Sequence, residues 1–133
     1  MAKNNQHRKL GVNPAHRRAM LMNLAESLIK HKRIKTTDSR AKALREYIEP
    51  LVTKAKKGDL TSRRMVLRKL HKDAVQSLFD EIGPAYADRS GGYTRIIKLG
   101  FRKDDAADLS IIEFVDFDSG VETAVVTEEE NAE

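Results

Sequence analysis

Cysteine and tryptophan are absent from this chain, aromatic residues make up only 5% of it, and no long apolar run occurs. Without cysteine there is no disulfide, no thiolate nucleophile and no cysteine-based zinc site, which suits a reducing cytoplasm. So few rings argue against base stacking as the main binding device. The longest apolar runs are a few residues, against the ~20 needed to span a bilayer. The opening "MAKNNQHRK" has no apolar segment behind its basic residues, so no secretory signal is expected. One further absence is local: residues 104–133 hold 11 Asp/Glu and no Lys or Arg.

Positive charge fills the rest. Residues 1–45 carry 12 Lys/Arg against 2 Asp/Glu, and residues 46–103 carry 13 against 7, for a total of +5 over 133 residues. That length suits a single modest core. A basic body with an acidic tail is the asymmetry of a polyanion binder. Its cytoplasmic partner would be a nucleic acid.

Periodicity predicts the elements. Leu21, Leu24, Ala25 and Leu28 follow helical spacing in a first helix from Pro14 to Lys30, capped by Asn13. "KRIKTT", residues 32–37, reads as a strand with Ile34 inward. Thr37 or Asp38 then caps a second helix with the stripe Ala41, Leu44, Ile48, Leu51, Val52, Ala55. Pro50 lies inside that stripe, which predicts a kink or break near Glu49. Gly58 ends the helix, and Thr61 starts a short basic one with Val66, Leu67 and Leu70 toward the core. A further helix packs Val75, Leu78, Phe79 and Ile82 and stops at Gly83-Pro84. "RSGGYTRIIKLGF", residues 89–101, is a glycine turn feeding a strand, and "LSIIEFV", residues 109–115, is its antiparallel mate. The expected fold is α+β, a two-layer α/β arrangement. Its order is helix, strand, three helices and two strands, with the small sheet packed on the helices. Residues 1–12 form an extended basic arm, 13–116 the globular domain, and 117–133 an acidic tail. The tail is expected to stay mobile and to point away from a polyanion, although "VETAVV" could add a little strand.

Catalysis has little to build on. The four histidines show no metal-ligand spacing, and "SGGY" at 90–93 lacks the spacing of a phosphate cradle. Asp80-Glu81 point apart on a helix, and Asp104-Asp105 sit in a loop. No enzyme, metal, cofactor or small-molecule substrate is expected. Cations, by contrast, cluster. His16, Arg17 and Arg18 stand in the first turn of the first helix, where the backbone is already positive. Repulsion there costs about 0.3–1 kcal/mol. A charge-assisted hydrogen bond to phosphate, about 1.5–3 kcal/mol, more than offsets it.

The segments "HRKLG…AHRRAMLMNLAESLIKHKRIKTTDSRAKALREYIEPLVTKAKKGD" and "LFDEIGPAYADRSGGYTRIIKLGFRKDDAADLSIIEFV" resemble the family of bacterial large-subunit ribosomal protein seventeen over residues 7–115. "HRRAM", "IKTT…RAK" and "GGYTRIIKLG" are the most specific parts. The resemblance implies a non-enzymatic α/β domain with an N-terminal arm on large-subunit ribosomal RNA, near the polypeptide exit region, beside other ribosomal proteins. The candidate RNA-binding residues are Lys3, His7, Arg8, Lys9, His16, Arg17, Arg18, Lys32, Arg33, Lys35, Arg40, Arg63, Arg64, Arg89, Tyr93, Arg95, Lys98 and Arg102. Contacts to phosphate and shape, rather than base reading, would supply the affinity. The alternative is a DNA-binding or nucleoid-associated protein, for which the basic helix at 61–70 is the one candidate reader.

Overall fold

The computed structural model describes residues 13–117 and the backbone of Val126–Thr127. The expectations for the arm at 1–12, and for the tail apart from Phe117 and that dipeptide, lie outside the described residues. Helix α1 (Pro14–His31) starts as its sequence demands. The Asn13 side chain accepts from the His16 backbone N–H at 2.8 Å, and Pro14 takes the position where no N–H is needed. Lys32 closes it in a left-handed conformation with φ 70°. Strand β1 (Arg33–Thr37) follows, with Ile34 and Thr36 buried.

Helix α2 (Asp38–Lys57) buries the whole expected stripe from Ala41 to Ala55. It does not break at Pro50. The proline removes one donor, but Pro50 and Glu46 four residues earlier are both exposed, so water can satisfy the freed carbonyl. Seven buried apolar residues, four before the proline and three after it, hold the helix together. Gly58, at φ 68°, is the expected left-handed cap. Helix α3 (Leu60–Leu67) begins one residue before the expected start, because Asp59 is the cap and accepts from Ser62 N at 2.8 Å. Val66 and Leu70 reach the core, but Leu67 is 45% exposed. The last helical region is irregular: α4 (Lys72–Ser77), a π turn (Leu78–Ile82) and one more turn, α5 (Gly83–Ala85).

Strands β2 (Thr94–Phe101) and β3 (Asp108–Phe114) are antiparallel, as expected. The sheet order is β2-β3-β1-β4, with β1 antiparallel to β3 and β4 (Val126–Thr127) parallel to β1. A bulge between Lys98 and Gly100 interrupts the β2–β3 register. One sheet face turns Ile34, Ile112, Ser110, Thr94 and Phe114 into the core against the helices. The outer face presents Arg33, Lys35 and Arg95. The fold class is therefore α+β, helices on one side of a small sheet.

Two tertiary links fasten the layers. The Glu49 carboxylate on α2 accepts from Tyr93 N at 3.1 Å and from Thr94 Oγ1 at 2.9 Å, anchoring the start of β2. Asp38, at the first turn of α2, accepts from buried Ser110 Oγ at 2.8 Å and pairs with Lys42 Nζ at 3.0 Å. The Ser110 hydrogen bond and then Lys42 hold the Asp38 carboxyl below its ordinary pKa. Gly83 ends nothing by itself. A Cβ there would lie 2.8 Å from the Ala55 carbonyl oxygen, so its role is the close approach of α5 to α2.

Two outcomes follow from these contacts. Gly83→Ala gains about 1 kcal/mol of helix propensity but meets backbone that cannot yield, an overpacking cost of about 1–3 kcal/mol. Urea unfolding should therefore show a net loss. Asp38→Ala leaves Ser110 without its acceptor and should cost about 1–3 kcal/mol at neutral pH. A lowered native pKa stabilises above the unfolded value of about 3.9 and is lost as pH falls through the native one. The gap between wild type and variant should therefore narrow as unfolding is measured progressively below pH 4.

Candidate nucleic-acid interface

Seven cations among the expected site residues are tied to the fold's own groups. Lys32 is half-buried, 3.1 Å from Glu81 Oε2, within 2.5 Å of the Ile29 carbonyl and over the Phe117 ring. Arg95 donates Nε and Nη2 to Glu113 Oε1 at 3.1 and 2.9 Å. Arg33, opposite the same glutamate on the other side of β3, lies 3.8 Å from its Oε2. Arg102 grips Asp105 through two hydrogen bonds of 2.9 and 2.8 Å. That guanidinium, aided by the Ala107 N–H, lowers the Asp105 pKa to about 2. Arg89 pairs with Asp116 at 3.8 Å and donates to the carbonyls of Gly91 and Gly92. Arg63 lies over the Phe79 ring, 5.1 Å from its centroid. Arg40 is half-buried and also has a partner.

Tyr93 differs from its expected role most clearly. It is 2% exposed, stacks 5.5 Å from Tyr86 and meets Lys56 Nζ through its hydroxyl at 3.0 Å, so it belongs to the core. A glycine-flanked tyrosine reads as a surface residue until Tyr86 and helix α2 cover it. Lys35 is half-buried on the outer sheet face, while Arg64 and Lys98 are exposed. Lys3, His7, Arg8 and Lys9 lie outside the described residues.

What the fold does bring together is a groove on the helical layer. It has a volume of about 500 Å³ and runs between the first half of α1, the middle of α2 and the turn after α3. Arg17 and Arg18 line it from α1, Lys54 from α2, and Lys69 from the turn. Exposed His16 stands beside them at the α1 terminus, whose first turn holds no acidic residue. Tyr47 braces the wall: its hydroxyl donates to the Lys69 carbonyl at 2.6 Å, and the Lys69 ammonium sits 5.6 Å from the ring centroid. Glu46 is the one acidic residue lining the groove.

Lys54 and Lys69 were not among the expected site residues. Lys54 sits in the last turn of α2, where a cation reads as a complement to the helix dipole. Its place seven residues after Tyr47 and three after Leu51, on the same helix face, was the available signal. The second cleft, about 460 Å³ between α1 and α4, mixes Lys30 and Lys32 with Glu26, Asp73 and Glu81. There the His71 Nδ1 lies 2.6 Å from Glu26 Oε2, and this carboxylate raises the His71 pKa. Three carboxylates make that cleft a poor phosphate site. Among the described residues no group of three or more His, Cys, Asp or Glu could hold a metal, and no helix is long and apolar enough to cross a membrane.

Residues 20–115 match the family model described as ribosomal protein L17. A protein of Rickettsia canadensis (strain McKiel) named large ribosomal subunit protein bL17 is 57% identical over 112 residues, 84% of this chain and 82% of its own length. The protein of the same name from Rickettsia africae (strain ESF-5) gives the same figures. That of Rickettsia bellii (strain OSU 85-389) is 55% identical, over 84% of this chain and 79% of its own. The chain belongs to the ribosomal protein L17 family.

Proposed function

We propose that this chain is a structural, non-enzymatic protein of the large ribosomal subunit, and that it binds large-subunit ribosomal RNA through phosphate and shape contacts. The observation that carries the RNA contact is the convergence of Arg17, Arg18, Lys54 and Lys69 on one concave surface. Arg18 and Lys54 make no ion pair with a carboxylate among the described residues, so their charge is available to an external anion. The α1 amides add partial positive charge at the same place. The twelve residues before Asn13 add Lys3, Arg8 and Lys9 to the sequence that leads into α1. Neighbouring ribosomal proteins are the other expected partners. The DNA-binding alternative draws no support from a family of ribosomal proteins.

Binding to isolated large-subunit ribosomal RNA should weaken steeply with salt. With about 6–10 phosphate contacts, the affinity falls by about 10³-fold or more between about 50 and 200 mM salt. A filter-binding constant that hardly moves would contradict phosphate-driven binding. Arg17→Glu with Arg18→Glu should lower the affinity at fixed salt by at least about tenfold, since each lost charge-assisted hydrogen bond is about 1.5–3 kcal/mol. Circular dichroism should show the same helix content as wild type. Unchanged RNA affinity would mean that these side chains only cover core.

A further inference from the structure

The groove contains more than phosphate neutralisation uses. A flat cationic patch would serve the sugar–phosphate backbone as well. Instead Leu21 and Pro50, set over the buried Ala43 and Leu51, supply carbon surface inside a cleft of about 500 Å³, within the size range of small-ligand sites. Glu46 is harder to explain. It is exposed on the wall between this groove and a more open depression lined by Lys42, Arg45 and Glu49, and it makes no hydrogen bond or ion pair with any described residue. Next to phosphate it repels, so for backbone binding alone it is a defect. For a nucleobase it is an asset, because an ionised carboxylate offers two adjacent acceptors and no donor.

The bases differ at this test. Guanine presents two neighbouring donors on its Watson–Crick edge, N1–H and the N2 amino group. Adenine and cytosine place one amino donor beside a ring acceptor that a carboxylate repels, and uracil has a single N–H between two carbonyls. RNA-binding proteins commonly read single-stranded bases by their Watson–Crick edges. We propose that the groove holds one unpaired guanine of the RNA. Glu46 receives its N1–H and N2–H, the apolar residues cover its face, and Arg17, Arg18, Lys54 and Lys69 hold the flanking phosphates. This rests on the RNA reading above and adds base selection to it.

The test uses the full-length chain with transcribed large-subunit ribosomal RNA, read by filter binding and by kethoxal, which modifies the exposed N1/N2 edge of guanine. Wild type should protect a guanine that Glu46→Ala and Glu46→Gln leave reactive. Changing that guanine to adenine should weaken wild type by about 5- to 150-fold, the range of one bidentate base contact, and should not affect Glu46→Ala. At fixed salt Glu46→Ala should bind the unaltered RNA with its steep salt dependence intact. Glu46→Gln keeps the shape and puts an N–H against the guanine donors, so its result does not depend on the smaller alanine. Identical protections in wild type and both variants would overturn the guanine site while leaving salt-dependent RNA binding in place. Wild type that binds no ribosomal RNA would overturn both.

Discussion

Helix α2 is the constraint on which the structure depends. Its buried stripe from Ala41 to Ala55 supplies a wall against which α1, α3, α5 and strands β1 to β3 all pack. Its polar groups also tie the layers: Asp38 reaches Ser110 on β3, and Glu49 reaches the first residues of β2. The neighbouring stripe of the same helix, Ala43, Glu46, Tyr47, Pro50, Leu51 and Lys54, forms one side of the groove. Core and candidate interface therefore share a single rigid element. The groove's shape is maintained by the same burial that stabilises the fold.

Charge is arranged by the same folding. Along the chain, the basic middle segment and the acidic segment 104–133 look like separate blocks. In space they interleave. Asp105, Glu113 and Asp116 meet Arg102, Arg95 with Arg33, and Arg89 around the sheet. Glu113 in the central strand sits between two arginines that flank it in register. This local compensation pairs the sheet's arginines with carboxylates, while Arg17, Arg18, Lys54 and Lys69 line one groove on the helical layer. Repulsion among those four weakens the free protein slightly, and an external phosphate chain reverses that sign.

Much of the architecture was legible because it is local. Helical spacing located α1 and α2, Asn13 and Gly58 marked their ends, and β-branched runs flanking glycines located the strands. The misjudged positions were those that distance along the chain governs. Pro50 breaks a helix in isolation, yet seven buried apolar side chains hold α2 together. Gly83 reads as a terminator, whereas it is small because Ala55 lies against it. Leu67 has an apolar side chain but lacks a neighbour to cover it. Tyr93 and Lys32 read as surface residues until Tyr86, Glu81 and Phe117 close over them.

The sequence by itself determined the main helices and strands, the Asn13 and Gly58 caps, the α+β class, the excess of cations and the family. Each of these follows from periods and compositions spanning a few residues, or from motifs matched in order. Only the tertiary structure decided which cations face outward together and which are neutralised. Coulomb energy depends on separation in space, and residues 37 positions apart along the chain, such as Arg17 and Lys54, become neighbours only when α1 docks on α2.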